Sequence, residues 1–233
     1  VDIALKRDEF NKFIEYAKVE LDEPYFLQTP LTDKYFYSPH ASLRNSNATC
    51  IARGDGALKC NNGAAIHIFP LDGYTDNKKY NRFIKIERIR NIVAFNNYHF
   101  IGRENYRFMR ILLKILSPII LFGSRTNNFV RHENRCTIMS MENHKYLGIQ
   151  TSIFLSRYKR LISKKENYDD VVLMPFEYYE IPVPIGFDDC LTHLYGDYME
   201  LPPIEQRNNK HTWEMDPDTP YKEYCSKKYG VKY

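Results

Sequence analysis

Strand-like and helix-like segments occupy separate stretches of this chain, and that order constrains its fold more than any other feature. Three β-rich runs broken by turn-forming residues come first, at residues 35–43, 48–52 and 63–69. Pro70 and Gly73 are predicted to end the last of these strands. The apolar residues then recur at helical spacing over residues 78–158, with interruptions near Gly102, Pro118 and Gly123. Strands grouped ahead of helices indicate an α+β fold.

The two ends of the chain add a strand, two helices and a hairpin. Apolar and polar residues alternate over residues 1–5, as they do at the end of a strand. An amphipathic helix is predicted to follow directly, over about residues 7–21. A short hairpin is predicted at residues 176–181 and a helix at residues 188–195, followed by a polar tail. With 233 residues, 43% of them hydrophobic, and no linker or repeat, we expect one domain spanning residues 1–233.

Composition argues against several classes of protein. The net charge of +4 does not demand a nucleic acid, and the basic stretches 82–90 and 157–165 are explained more simply as solvated helix faces. Strongly salt-dependent binding to RNA or DNA would revive that alternative. Five widely spaced cysteines without a CxxC pair disfavour disulfides and a structural zinc site, which indicates reduced thiols in a cytoplasm.

One apolar segment raises the question of membrane contact. Residues 111–122 are too short to cross a bilayer and contain Lys114 and Pro118. The segment suits a buried or an interfacial helix, and packing in the core is the favoured interpretation. Peripheral contact with a membrane stays open as the alternative.

Four residues in the first third of the chain suggest phosphate or metal chemistry. Asp2 lies on a strand that leads into a helix, where a carboxylate can hold Mg²⁺, although a solvated carboxylate is the simpler explanation. His67 and Asp72 flank a hydrophobic strand end, and on pattern alone they fit a half-buried histidine and a turn residue. Arg44, followed by Asn45-Ser46-Asn47, offers donors suited to a phosphate, or else it lies in a surface turn.

A later stretch, residues 195–211, combines tyrosines, carboxylates and cations. Its aromatic faces could hold a quaternary ammonium group, but structural packing explains the tyrosines equally well.

Together these stretches resemble the LicD family, which includes bacterial phosphocholine transferases and fukutin-related proteins. Residues 1–13 are similar to the segment that follows the family's run of aspartates, and residues 63–73 to its second strand. Phe176-Glu177 through Pro182-Val183-Pro184 is similar to the family's Phe-Glu and Val-Pro signature. The most specific match is residues 191–207, which contain Tyr-Gly-Asp-Tyr-Met and Leu-Pro-Pro.

The resemblance implies a nucleotidyltransferase-like mixed sheet with a C-terminal helical layer. It implies a transferase that moves phosphocholine, or a similar phospho-alcohol, from a CDP-linked donor such as CDP-choline to a cell-surface glycan or lipid-linked glycan, as in lipopolysaccharide, teichoic acid or capsule synthesis. Mg²⁺, or alternatively Mn²⁺, is the implied cofactor. The expected location is the cytoplasm or the inner face of its membrane, without a nucleic-acid partner.

The resemblance also assigns roles to individual residues. Asp2 and a carboxylate expected upstream of Val1 would hold the metal. His67, as a further metal ligand, or Asp72 would complete the site or position the attacking hydroxyl. Arg44 would bind the substrate. Glu177 and Arg207 are also assigned to substrate binding, although the family motifs that contain them could instead be structural. Arg207 could alternatively form an ion pair that holds the C-terminal segment against a helix.

Two departures from the family pattern accompany these roles. The family has a further Asp two positions before the one matched by Asp2, so we expect the chain to begin inside its domain, without the first strand and helix. His67 stands where the family usually has an Asp, and histidine is a softer, neutral ligand than Mg²⁺ prefers. Three explanations stay open: an altered metal site, a shifted role for Asp72, or a catalytically degenerate member that binds nucleotide or glycan without transfer.

Overall fold

The computed structural model describes residues 2–38, 40–52, 55–75, 77–99, 107–121, 123–138, 144–151, 162–207 and 213–233. The strands are β1 (Asp2–Lys6), β2 (Tyr25–Gln28), β3 (Ala41–Asn45), β4 (Thr49–Ile51), β5 (Ala64–Tyr74), β6 (Tyr146–Gly148), β7 (Ile162–Lys164), β8 (Val171–Phe176), β9 (Tyr179–Pro184) and β10 (Glu214–Asp216). The α-helices are α1 (Arg7–Glu20), α2 (Lys78–His99), α3 (Arg107–Ile120), α4 (Arg125–Thr137), α5 (Phe187–Tyr195) and α6 (Tyr221–Tyr229). Helices and strands are thus both well represented, as the α+β prediction requires.

A mixed sheet organises the molecule around its longest strand, β5. The sheet order is β2-β3-β5-β6-β7, and β1 also pairs with β5. The pairing of β1 with β5 is parallel, whereas β5 is antiparallel to β3 and β6. Because three strands pair with it in turn, β5 fixes the position of every other strand in this sheet.

Helix α1 covers one face of this sheet. It begins directly after β1, and the two carboxylates in its first turn, Asp8 and Glu9, suit the positive end of the helix dipole. Its buried side chains Phe10 and Ala17 pack with residues of β2, β3 and β5, namely Leu27, Ala41 and Ile68. This apolar face is the main core beneath the strands, and the predicted strand-to-helix unit at the chain start is confirmed.

The prediction that Pro70 and Gly73 end the strand is wrong, because β5 continues to Tyr74. The register explains how a proline is tolerated there. The pairing with β3 ends at Ile68, and the pairing with β6 begins only at Asp72. Pro70 therefore lies in a stretch where one edge of β5 has no paired strand, which is where a missing N–H costs least.

Helices α2, α3 and α4 confirm the helical pattern that was predicted from residue 78 onward. Gly123 separates α3 from α4, but Pro118 lies inside α3 rather than ending it. The helical prediction extends too far, since β6 within it pairs with β5. This helical block lies in the middle of the chain, not at its C-terminus, and Gly102 and residues 152–160 lie outside the described residues.

The strand predicted over residues 35–43 is shifted along the chain in the structure, because β3 begins only at Ala41. Strand β2 was not predicted at all. The basic stretch 82–90 is only partly a solvated face, since Arg88 is buried and Arg90 binds Glu87 at 2.7 Å. The second basic stretch, 157–165, lies mostly outside the described residues.

The C-terminal third contains the predicted hairpin and more structure than its polar sequence indicated. Strands β8 and β9 pair from Val171 to Pro184, with Glu177 and Tyr178 at the turn. Helix α5 confirms the helix predicted at residues 188–195. Helix α6 packs on β4 through a small core of Ile51, Cys225 and Val231, and β10 pairs with β4. All five cysteines are free, as predicted.

A buried ion pair joins the first helix to the central strand. Arg7 donates from Nε and Nη2 to the two carboxylate oxygens of Asp72, at 2.7 and 2.9 Å. Its Nη1 donates to Glu133 of α4 at 2.8 Å. Burial alone would lower the pKa of Arg7, but the bonds and attraction to Asp72 and Glu133 raise it above its ordinary value. Arg7 therefore stays charged and ties α1, β5 and α4 together.

Substitution of Arg7 by Met is expected to destabilise the fold strongly. The change leaves Asp72 and Glu133 without their shared cation, and removing one partner of a buried ion pair typically costs about 3–5 kcal/mol. Urea unfolding followed by circular dichroism measures this loss. Lys18→Met, which breaks the exposed pair with Glu15, serves as the control and should cost no more than about 1 kcal/mol. Equal losses of unfolding free energy in the two variants would contradict the stabilising role assigned to Arg7.

Candidate functional site

A row of polar side chains crosses four strands of the sheet on the face opposite α1. The register pairs Asp2 of β1 with His67 of β5, His67 with Ser42 of β3, and Ser42 with Gln28 of β2. Paired residues on neighbouring strands project to the same face of a sheet. We call Asp2, His67, Ser42 and Gln28 the polar row.

The polar row runs from solvent into the interior. Asp2 is exposed on β1, and His67 is half-buried. Ser42 and Gln28 are fully buried. The solvent-accessible end of the row is therefore its outer end, where Asp2 and His67 are paired on neighbouring strands.

Hydrogen bonding and ring contacts hold His67 in place. Its Nδ1 lies 2.9 Å from the Ser42 hydroxyl. The His40 ring approaches to 4.6 Å between centroids, and the Trp213 ring to 6.3 Å. His40 is itself held by Ser38, whose hydroxyl lies 2.7 Å from Nδ1. Two aromatic rings and one hydroxyl group thus lie beside the imidazole, which stays partly exposed.

Both histidines are neutral at neutral pH. Burial, followed by the nearby charge of Arg44, lowers the pKa of His67 to about 4, and Asp2 only partly opposes this shift. Burial also lowers the pKa of His40 well below its ordinary value, and His67 and Arg44 add to the effect. A neutral imidazole keeps a lone pair on one ring nitrogen. That lone pair can bind a metal ion or accept a proton.

Arg44 lies inside the protein, which contradicts its expected surface position. Its Nε donates to Gln28 Oε1 and its Nη1 to the Gly63 carbonyl, both at 2.7 Å. Gln28 in turn donates to Asp33 and to the Asn61 carbonyl. Arg44 therefore stabilises the inner end of the polar row, and a direct contact with a phosphate would require these bonds to open.

Asp72 is separated from His67 by the geometry of β5. Side chains alternate along a strand, so residues five positions apart project to opposite faces. Asp72 is fully buried, and both of its oxygens accept from Arg7. The structure corrects two expectations here, since Asp72 neither lies in a turn nor shares a face with His67.

Glu177 and Arg207 lie outside the strands that form the polar row. Glu177 occupies the exposed turn of the β8–β9 hairpin with a positive φ of 53°. Arg207 is exposed, and its Nε donates to the Pro202 carbonyl at 2.7 Å. This bond is local to residues 202–207, and within the described residues Arg207 forms no ion pair with a helix. Neither residue is brought into the polar row.

The donor atoms of the polar row suit some divalent ions better than others. Asp2 offers carboxylate oxygens, and His67 offers an imidazole nitrogen whose orientation is set by Ser42. Ligating histidines usually have such a partner on the other ring nitrogen. Mn²⁺ accepts nitrogen alongside oxygen, whereas Mg²⁺ prefers oxygen ligands alone. Within the described residues no group of three or more His, Cys, Asp or Glu side chains is placed to hold a metal.

Several residues around His67 could not be singled out in the sequence. His40, Ser42 and Trp213 become part of the site only through the pairing of β3 with β5 and the return of the chain before β10. Trp213 is the single tryptophan of the chain, and this was the one feature of the sequence that could have drawn attention to it.

Comparison with known proteins gives one informative similarity. The chain is 24% identical over 216 residues to the lipopolysaccharide cholinephosphotransferase LicD of Haemophilus influenzae. The matched region covers 92% of this chain and 78% of that protein, so the likeness to LicD extends along nearly the whole sequence. No family model matches the chain. No solved structure matches it.

Acidification should destabilise the folded protein through His67. An unfolded histidine has a pKa of about 6.5, so as the pH falls the unfolded state takes up the proton before the folded state, in which the pKa is about 4. The stability from the neutral His67 is thus present above pH 6.5 and is lost toward pH 4. Between pH 7 and pH 5 we expect wild type to lose about 2 kcal/mol more unfolding free energy than His67→Asn. Urea unfolding at the two pH values, with a chelator present, measures this difference. Equal losses of unfolding free energy in wild type and His67→Asn would contradict the prediction.

Proposed function

We propose that this protein transfers phosphocholine, or a similar phospho-alcohol, from a CDP-linked donor to a glycan. The observation that carries the proposal is the outer end of the polar row, where Asp2 and His67 lie side by side on parallel strands. The similarity to a lipopolysaccharide cholinephosphotransferase over 92% of the chain supports the reaction class. A cell-surface glycan, such as a lipopolysaccharide, is the proposed acceptor.

Asp2 and the ring nitrogen of His67 would hold the divalent ion, and Mn²⁺ fits this pair better than Mg²⁺. When bound, such an ion neutralises phosphate charge and favours displacement at phosphorus. Ser42 orients the imidazole through the 2.9 Å contact to Nδ1. The remaining coordination positions would be filled by water and by phosphate oxygens of the donor.

The proposed transfer forms one phosphorus–oxygen bond and breaks another. The acceptor hydroxyl oxygen bonds to the phosphorus that carries the alcohol, and the bond from that phosphorus to CMP breaks. The hydroxyl proton passes to solvent or to the released CMP. Transfer of this kind depends mainly on positioning and on charge stabilisation, so no covalent nucleophile is needed. The rigid strand pair β1–β5 supplies that positioning.

Trp213 is the proposed contact for the choline head group. Its ring lies 6.3 Å from His67, and 38% of the residue is exposed. The face of a tryptophan ring attracts a quaternary ammonium group. A donor bound through its phosphates at Asp2 and His67 would have its head group within reach of this ring.

A non-catalytic relative that binds nucleotide or glycan is the second candidate function. It is favoured by His67, a neutral residue where the family pattern has a carboxylate. It is also favoured by the lack of a third suitable metal ligand within the described part of the chain. Nucleotide binding without any release of CMP would support it.

Asp2→Asn should lower the rate of CMP release from CDP-choline by about a hundredfold or more, because it removes the carboxylate that would hold the ion. Ser42→Ala should cost about 10–100-fold, as loss of a partner that orients a metal-binding histidine typically does. The assay measures CMP released with Mn²⁺ and with Mg²⁺, using CDP-choline and CDP-ribitol as donors. Mn²⁺ should be the better cofactor, and His67→Asp should shift the preference toward Mg²⁺.

Asp8→Asn is the matched control for the carboxylate, since Asp8 is exposed at the start of α1 and lies outside the polar row. It should release CMP at the wild-type rate. If Asp2→Asn is as active as this control, the assignment of the site is wrong. If no variant and no donor gives CMP while nucleotide still binds, the second candidate function replaces the first.

Trp213→Leu should raise the KM for CDP-choline about tenfold, because a desolvated cation–π contact contributes about 1–2 kcal/mol. The KM for CDP-ribitol should not change, since ribitol carries no charge. Initial rates with the two donors give the comparison. Equal increases for the two donors would assign Trp213 a structural role instead.

A further inference from the structure

Helix α3 exposes an apolar stripe where the sequence favoured core packing. Its large exposed side chains follow helical spacing: Phe108, Ile111, Leu112, Ile115 and Ile119. Phe108 and Ile119 are 78% and 79% exposed. Apolar side chains at i, i+3, i+4, i+7 and i+11 lie on one side of a helix, so this surface is contiguous.

The neighbouring helix also exposes apolar side chains. Helix α2 packs against α3, and the Arg90 side chain reaches the Ile120 carbonyl at the end of α3. Helix α2 exposes Phe83, Ile86 and Ile89 on successive turns. We call the exposed apolar residues of these two helices the apolar surface. An exposed apolar area of this extent on a folded protein usually marks an interaction site.

The charge around the apolar surface is basic. Helix α2 presents four exposed cations, Lys78, Lys79, Arg82 and Lys85. Its one carboxylate, Glu87, is buried and bound to Arg90. The charged residues in the sequence of α3 are Arg107, Arg110 and Lys114, so that helix contains no acidic residue. Apolar side chains edged by cations match the surface of an anionic bilayer.

We propose that α2 and α3 dock the protein onto an anionic lipid surface, lying along it without crossing it. No helix in the described parts of the chain is long and apolar enough to span a membrane. A second copy of the chain fits this surface less well, because a two-fold interface would oppose one basic row to another. Docking of this kind does not require the proposed transferase activity.

Sedimentation with lipid vesicles tests the docking surface in the full protein. Vesicles of phosphatidylcholine alone are compared with vesicles containing about one quarter phosphatidylglycerol, at low and at high salt. Wild type should sediment with the anionic vesicles and be released as salt rises. Ile115→Ser/Ile119→Ser should lower the partition coefficient about tenfold or more, since it removes two apolar contacts.

Two further variants make the test specific. Leu201→Ser/Ile204→Ser removes side chains that are 70% and 75% exposed elsewhere on the protein, and it should sediment like wild type. Substitution of Lys78, Lys79, Arg82 and Lys85 by Gln should reduce sedimentation with anionic vesicles only. Urea unfolding confirms that the serine variants fold.

Three results would overturn the proposal. One is wild type that stays in the supernatant with anionic vesicles at low salt. Another is an Ile115→Ser/Ile119→Ser variant that folds and sediments like the control. The third is a wild-type dimer in light scattering that this variant converts to monomer, without vesicle binding by either protein, which would assign the surface to self-association.

Discussion

The ion pair between Arg7 and Asp72 is the interaction on which the arrangement of the sheet and its site depends. Arg7 follows β1 directly, and Asp72 lies on β5, so the two hydrogen bonds between them fix the position of one strand against the other. That position places Asp2 beside His67 five residues earlier on each strand. Glu133 extends the same interaction to α4. The ion pair is buried on one face of the sheet, and the site it positions is on the other.

The alternation of side chains along β5 separates structural from chemical residues. Ile68 and Asp72 project toward α1, where they contribute to the core and to the ion pair. His67 projects to the opposite face, beside Asp2 and Ser42. Burial on that face keeps the imidazole neutral, which suits a nitrogen ligand or a proton acceptor. One strand thus carries the interaction that stabilises the sheet and the group that the proposed chemistry uses.

The sequence predicted local elements well where they depend on nearby residues. Helix α1, the hairpin around Glu177 and helix α5 follow from apolar spacing and turn residues close in the chain. The passage of β5 through Pro70 could not be predicted, because it depends on where β3 ends and β6 begins. For the same reason, pattern alone could not assign the burial of Arg44 or the contact of Trp213 with His67. The exposure of α3 was missed because an apolar helix has the same sequence pattern in a core or at an interface.

We propose that Asp2 and His67 form a site for a divalent ion and a CDP-linked donor, and paramagnetic broadening by added Mn²⁺ can detect an ion bound there. Histidine ring protons are observed by NMR as Mn²⁺ is added in the presence of CDP-choline. We expect selective broadening of the ring protons of His67 and of His40, whose ring centroid lies 4.6 Å away, while those of the exposed His193 on α5 stay sharp. Asp2→Asn should abolish the effect. Uniform broadening of all histidines, or broadening of His67 that persists in Asp2→Asn, would show that Asp2 and His67 do not form this site.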